Sequence, residues 1–451
     1  MEQVRENKMG TMPIPSLLLS MALPMMVSML VQALYNVVDS IFVSWIAEDA
    51  LTAVSMAFPM QNLLIGCGSG LGVGTNALLS RCLGERRKED ANRMAMHGIF
   101  LAGCAYLLFL VIALLTARRF FVIQGASEII TDYGTTYLMI VMCFSFGLFL
   151  QMMMERLLQS TGLTVYSMLT QGLGAIVNLI LDPILIFGYF GFPKMGIAGA
   201  AIATVIGQIL GALLGIYLNL KLNKELTLTF RGFRPNRRII TQILYIGVPS
   251  ILMVGIGSIM TFSVNKILVV FSSTAVAVFG AYFKLQSFFF MPIFGMNNGM
   301  VPIVAYNLGA RRPERMLETR KMAFIYGEVI MLIAFSVMQL LPSKLLGFFN
   351  ASSEMLAIGV PALRTISISF LVAAICVISS SFFQAVGNGI FSMLLSLFRQ
   401  LFCLVPLVYL FSRSGSLSMV WWAWPIAECV AIVLILIFNR IIHRKVIAPM
   451  Q

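Results

Sequence analysis

The sequence predicts an all-α integral membrane protein with twelve transmembrane helices arranged as two pseudo-symmetric six-helix lobes. Composition supplies the first reason. Hydrophobic residues make up 59% of the 451 and charged residues only 11%, whereas an ordinary soluble domain carries about 25% charged residues. Mean hydropathy is +0.93. The second reason is internal repetition: residue n resembles residue n+225 along nearly the whole chain. Pro24 maps to Pro249, Phe58 to Phe283, Gln61 to Gln286, Gly70 to Gly295 and Gly74 to Gly299. The run Leu83-Gly84, Arg86-Arg87, Glu89 maps to Leu308-Gly309, Arg311-Arg312, Glu314, and Gln159 and Gly162 map to Gln384 and Gly387. One offset that serves both ends of the unit marks a duplication. In membrane proteins two similar halves are characteristic of transporters, whose substrate site lies at the repeat interface.

Crossing the hydrocarbon takes about 20 mostly apolar residues per helix. Such stretches fall at about 14–46, 51–81, 94–116, 132–158, 164–190, 195–220, 240–271, 274–307, 322–343, 355–383, 389–412 and 416–440, here numbered helices 1 to 12. Helices 1, 2, 7 and 8 are longer than needed and must tilt, bend or protrude. Six spans per copy is an even number, so both copies enter from one side and the repeats are parallel, related by an axis along the membrane normal. Residues 1–222 are expected to form the N lobe (helices 1–6) and residues 223–451 the C lobe (helices 7–12), divided at the hydrophilic segment Lys221 to Arg238.

The net charge of +13 does not point to nucleic acid. Lys and Arg concentrate in Arg81 to Arg93, Lys221 to Arg238, Arg311 to Lys321 and the C-terminal Arg440, Arg444 and Lys445, all on one side of the twelve-span arrangement. By the positive-inside rule that side and both termini are cytoplasmic, in a bacterial-type cytoplasmic membrane, and the bilayer is the chain's main partner. The first apolar stretch is too long for a cleavable signal and contains Asp39. The seven Cys lack metal-type spacing and read as packing residues. No disulfide, metal or cofactor is expected. The glycines of 66–74 lack the Lys of a phosphate loop and suit close helix packing. His97 and His443 fall near the cytoplasmic face, and no nucleophile–base constellation suggests an enzyme.

Ionisable residues at membrane depth cost at least about 2.5–3.5 kcal/mol on insertion scales, so each is a functional candidate. In helix 1, Gln32, Tyr35, Asn36 and Asp39 recur at spacings of three and four and share a face. They form either a polar seam between helices or a cation or proton site; a seam would favour amides and hydroxyls over a carboxylate. In helix 5, Asn178 and Asp182 share a face, and Pro183 weakens the helix beside them so that carbonyls could turn toward an ion. Two carboxylates with an amide and a hydroxyl suit Na⁺, or the pair could share a proton. Pro24, inside helix 1, is a reasonable place for a hinge or a static kink. The copies differ where the charge is: Asp39 corresponds to Val264, Asp182 to Leu407 and Asn178 to Cys403. Deep bases gather in the second copy, where Glu428 is expected to pair with Arg399 or Lys284, as structural glue or as a charge network. Glu155 and Arg156 read as lying near a cytoplasmic helix end, where snorkelling suffices. Met25, Met26, Phe288, Phe289, Phe290 and Met291 could line an adaptable apolar cavity.

These residues bring the chain close to a known family. The stretches LPMM (23–26), Tyr35 to Asp39, GxGxGxxxLxSRxLGE (70–85), NLILDPILIFG (178–188), AYFKLQ (281–286) and VPIVAYNLGA (301–310) resemble the multidrug and toxic compound extrusion (MATE) transporters, in their MepA-like group near the DinF-like branch. The resemblance, which runs from about residue 14 to residue 442, implies a V-shaped cavity between the lobes. It also implies export of bulky, often cationic organic compounds, hydrophobic cations among them, in exchange for H⁺ or Na⁺. It implies a cation site in the N lobe at Gln32, Tyr35, Asp39, Asn178 and Asp182, and adds Thr204 of helix 6 to that set. Another branch of the family has a carboxylate in mid-helix 7, but Gly255 to Ile259 has none, so coupling is expected in the N lobe. The alternative reading is a flippase for lipid-linked precursors of the same wider superfamily, which would want a basic cavity for pyrophosphate. Two lobes already complete a pathway, so a monomer is expected.

Overall fold

The computed structural model describes residues 7–349 and 351–450. The described residues are helical with no strand. Ten continuous helices are long and apolar enough to span a bilayer: Ile14–Ser44, Glu48–Gly84, Lys88–Ile123, Thr164–Phe187, Ile197–Leu222, Arg237–Leu268, Ser273–Gly309, Pro313–Leu340, Gly389–Ser412 and Leu417–Met450. The other two spans are bent pairs. Helix 4 consists of Glu128–Cys143 and Phe146–Ser160 at 46°, and helix 10 of Ser353–Ser367 and Phe370–Ala385 at 52°. Each bent pair corresponds to a single apolar stretch of the sequence, about 132–158 and 355–383. They break at matching points, since Phe144 and Ser145 correspond to Ser369 and Phe370.

The duplication is visible in the backbone. Arg86 and Arg311, equivalent in the repeat, both take positive φ, 58° and 52°, in the tight turns after helices 2 and 8. Gly162 and Gly387, likewise equivalent, both have φ 86°, a left-handed value that glycine adopts at no steric cost. Ser127 and Ser352 each cap the helix that follows, accepting from Ile130 N and Met355 N.

Between helices in lipid there is little hydrophobic drive, so association rests on close packing of small residues. The lobes meet in this way. A Cβ on Gly70 would lie 2.5 Å from Ile251 Cγ1, and one on Gly295 would lie 2.5 Å from Met26 Cα. A Cβ on Gly84 would lie 1.9 Å from the Tyr306 oxygen, and one on Gly309 would lie 2.1 Å from the Arg81 oxygen. Met26 is the repeat partner of Ile251, and Arg81 of Tyr306. Helix 2 therefore packs on helix 7 as helix 8 packs on helix 1, which is the reciprocity a two-fold axis requires. Nearly every residue is buried from Gly70 to Gly84 in helix 2 and from Gly295 to Leu308 in helix 8. In the other half of helix 2, Glu48 to Leu63, only Ala50, Ala53 and Ala57 are buried. The lobes are thus joined at the end bearing the basic turns and part toward the opposite end.

The N-terminal turn Lys8–Thr11 reinforces that closed end. Asn7 Nδ2 donates to the Thr161 carbonyl at 3.1 Å. From the C lobe, Asn307 Nδ2 and Arg315 Nη2 each donate to the Met9 carbonyl at 3.1 Å. The linker after helix 6 is held to helix 3: His97 Nε2 accepts from Asn236 N at 2.9 Å, which leaves Nδ1 to donate to the Arg93 carbonyl at 2.7 Å.

Candidate functional site

Helix 1 carries its polar stripe against helix 5. Ser28 Oγ donates to Gln171 Oε1, and Gln171 Nε2 in turn donates to Gln32 Oε1. One turn on, Tyr35 and Asn36 face the space between the lobes, and the next turn brings Asp39 beside Asp182 of helix 5, close enough for the two carboxyl groups to interact. Two bare carboxylates side by side repel strongly in low dielectric, so the pair is suited to sharing a proton or a cation. Asp182 is fully buried. One oxygen of Asp39, Oδ1, is buried without a hydrogen-bond partner among the described residues. Asn178 joins the pair to helix 6. With its amide turned to satisfy both sides, Nδ2 donates to Asp182 Oδ2 at 3.1 Å, and Oδ1 accepts from Thr204 Oγ1 at 3.2 Å and Thr204 N at 3.0 Å. The structure therefore brings Asp39, Asn178, Asp182 and Thr204 together. No cluster of three or more His, Cys, Asp or Glu exists among the described residues, so an ion here would be held by hard oxygens of carboxylate, amide and hydroxyl.

Between the lobes lies a cavity of about 750 Å³, walled from both copies. Gln32, Tyr35, Asn36, Asn178 and Thr204 line it, whereas Asp39 and Asp182 lie one helical turn beyond its wall. Of the apolar candidates, Met25, Phe290 and Met291 line it. Its polar surface is rich in carboxamides, including Gln151, Gln171, Gln286, Asn297, Asn298 and Gln400.

Two expectations need correction. Glu155 and Arg156 do not snorkel at a helix end: they are 9% and 8% exposed and line the cavity. Glu155 accepts from Gln151 Nε2 at 3.0 Å and Thr170 Oγ1 at 3.3 Å. Arg156 Nη1 donates to Gln159 Oε1 at 3.0 Å and Asn298 Oδ1 at 2.8 Å. The helix end is not watery because helices 2 and 8 run past it and close over it. The repeat held a signal for this pair, since its counterparts are Ser380 and Ser381, the same loss of symmetry that marks Asp39. In the C lobe, Glu428 pairs with Arg399 (Nη1 to Oε1 3.0 Å) and Lys284 takes no part. Helix 8 turns Phe279, Phe283, Gln286 and Phe290 toward the small 220 Å³ pocket beside that pair, which puts Lys284 about 100° round from Phe283, exposed. Pro24 sits inside helix 1, which runs unbroken from Ile14 to Ser44.

Two six-helix lobes in so apolar a chain, packed reciprocally around a cavity that both of them wall, define a multi-pass membrane transporter. A family model described as MatE matches residues 24–184 and, a second time, residues 246–410, once in each half. The chain belongs to the MatE family, the multidrug and toxic compound extrusion transporters. The multidrug export protein MepA of Staphylococcus aureus (strain NCTC 8325 / PS 47) is 24% identical over 417 residues, covering 92% of this chain and 91% of that protein. MepA of Staphylococcus haemolyticus (strain JCSC1435) is 25% identical over 410 residues, covering 91% and 89%. Among solved structures, an outward-facing multidrug resistance MATE transporter of the MOP superfamily superposes with a TM-score of 0.92 at 26% identity over 100% of this chain and 99% of that one. A MOP superfamily transporter from Pyrococcus furiosus, described as having a binding pocket of reversed polarity, superposes with a TM-score of 0.91 at 26% identity over 98% of each chain. The family and these relatives are transporters, not enzymes.

Proposed function

We propose that the protein is an antiporter of the cytoplasmic membrane, with both termini in the cytoplasm, that exports bulky, often cationic organic compounds in exchange for H⁺ or Na⁺. The observation that carries this reading is the juxtaposition of Asp39 and Asp182 directly behind the cavity wall. Helix 1 holds both the wall residues Gln32, Tyr35 and Asn36 and the acid Asp39. A change in what occupies the acid pair is therefore transmitted to the cavity by movement of a single element. With the lobes joined at the basic-turn end, this conformation faces outward and receives the coupling ion from outside. Occupation neutralises the pair, helix 1 shifts against helix 5, and the organic compound is released. Loss of the ion to the cytoplasm after the lobes exchange their open ends resets the site. Asp39 and Asp182 lie behind the wall, so ion and substrate exclude one another through helix 1 and not by sharing one carboxylate. The flippase alternative draws no support from the C lobe, where Glu428 neutralises Arg399 and Lys284 lies apart from the pair.

The test uses purified protein in vesicles loaded with a fluorescent organic cation, with efflux driven separately by a pH gradient and by a Na⁺ gradient. Asp39→Asn and Asp182→Asn are each expected to reduce gradient-driven efflux to near background, while binding of the dye to the resting protein persists. Intact efflux in both variants would show that the coupling site lies elsewhere, and the gradient that drives the wild type identifies the ion.

A further inference from the structure

Three charged side chains line the central cavity: Glu155, Arg156 and Arg399. Two are answered within their own lobe. Arg399 faces Glu428 at 3.0 and 3.3 Å, and Glu155 is held by Gln151 and Thr170. Arg156 differs. Its hydrogen-bond acceptors are two neutral amides, Gln159 on its own helix and Asn298 across the lobe boundary, while the Glu155 carboxylate beside it on helix 4 offsets part of its charge. Neutral acceptors compensate a buried guanidinium less than a carboxylate does. The stem lies directly over helix 2, where a Cβ on Gly72 would come 2.7 Å from Arg156 Cγ, so the head is aimed by packing. Beside Asn298, both amide atoms of Asn297 are buried with no partner among the described residues, as are Ser380 Oγ and Gln208 Oε1; all three residues line the cavity. Ser380 and Ser381 stand where the second copy would repeat Glu155 and Arg156, so this adjacent acid and base belong to the N lobe only.

We propose that Arg156 anchors the carboxylate of an amphiphilic organic ligand, and that the ligand takes the guanidinium from Asn298; this rests on the cavity being the transport site. The planar fork of Arg matches a carboxylate in bidentate fashion, and Met25, Met29, Phe290 and Phe294 supply an apolar wall for the body of such a molecule. A carboxylate is a stronger acceptor than the Asn298 amide. Since Asn298 belongs to helix 8 and Arg156 to helix 4, the exchange also removes a polar tie between the lobes at the closed end of the cavity. Recognition of the anionic group and loosening of the gate are then one event.

The experiment compares rhodamine B, which bears a free carboxylate, with its ethyl ester, by fluorescence anisotropy on the full-length protein in detergent. Arg156→Gln is expected to weaken binding of the acid about tenfold while leaving the ester within about twofold. Asn298→Ala removes the competitor, so binding of the acid is expected to tighten severalfold and that of the ester to stay unchanged. If Arg156→Gln loses both dyes through misfolding, Asn298→Ala decides: tightening for the acid alone supports the anchor, and no difference overturns it. A wild type that binds the ester and rejects the acid overturns the anchor and leaves the transport reading standing. Rejection of both dyes by the wild type sinks the two together.

Discussion

Arg399 and Glu428 lie deep in the C lobe with side chains 19% and 15% exposed, and their bond shows what a charge at this depth requires. Removing one partner leaves the other desolvated and unpaired, at a cost of about 3–5 kcal/mol in a dry site. Here the pair borders the cavity, so about 2 kcal/mol is the better figure. Glu428→Gln is therefore expected to lower the melting temperature in detergent, and adding Arg399→Gln to restore much of it, because the double variant leaves no charge unpaired. A double variant as unstable as the single one would show that the pair is not coupled. At this scale the sequence was readable wherever two polar residues lie three or four apart on one helix. Gln32, Tyr35, Asn36 and Asp39 on helix 1, and Asn178 and Asp182 on helix 5, needed only helical periodicity and the cost of burial to stand out. Glu155 and Arg156 did not, because their distance from a helix end was read as nearness to water, and the burial of that end depends on other helices. The choice between Arg399 and Lys284 as the partner of Glu428 was open for a related reason: depth along the chain is legible, but the direction around helix 8 is not.

Helix 1 is the element that joins the acid pair to the cavity, and Pro24 is its irregularity. Proline has no N–H for the carbonyl four residues earlier, which leaves the Ser20 oxygen free, and Thr164 Oγ1 of helix 5 donates to it at 3.5 Å. The long bond gives the freed carbonyl a partner, and the missing backbone bond gives helix 1 a point of low stiffness beside helix 5. In the second copy Gly389 replaces Thr164, so only the N lobe has this hydroxyl. Pro24→Ala restores the backbone bond and stiffens the helix. It is expected to leave the melting temperature unchanged or slightly higher and to slow efflux from vesicles severalfold. Wild-type turnover in Pro24→Ala would make the proline a static feature. Helix 11 shows a different irregularity, a π-helical stretch at Phe398–Leu404 that contains Arg399. Widened turns of this kind are frequent at functional sites, and here the turn sets the direction of the guanidinium toward Glu428.

Across the whole molecule, the conformation depends on the glycine seam at the end with the basic turns. Gly84 and Gly309 allow backbone to touch backbone, and neither has an unusual φ, so a side chain there acts through space alone. Gly84→Val would set Cβ within 1.9 Å of the Tyr306 oxygen, a clash relieved only by separating the lobes. Spin labels at Lys88 and Pro313 are expected to report longer distances in Gly84→Val and in Gly309→Val than in the wild type. Unchanged distances in both would show that the seam does not hold this end shut. Twelve spans, their duplication, the basic turns and the acids of helices 1 and 5 could all be read from the chain, because hydropathy, periodicity and the cost of a buried charge are local properties. Which end of the lobes is joined, which side chains wall the cavity, and the burial of Glu155 and Arg156 were decided by the tertiary structure. Those features come from contacts between different helices, many of them between residues far apart in the chain, where small differences in packing choose between arrangements that the same helices could equally form.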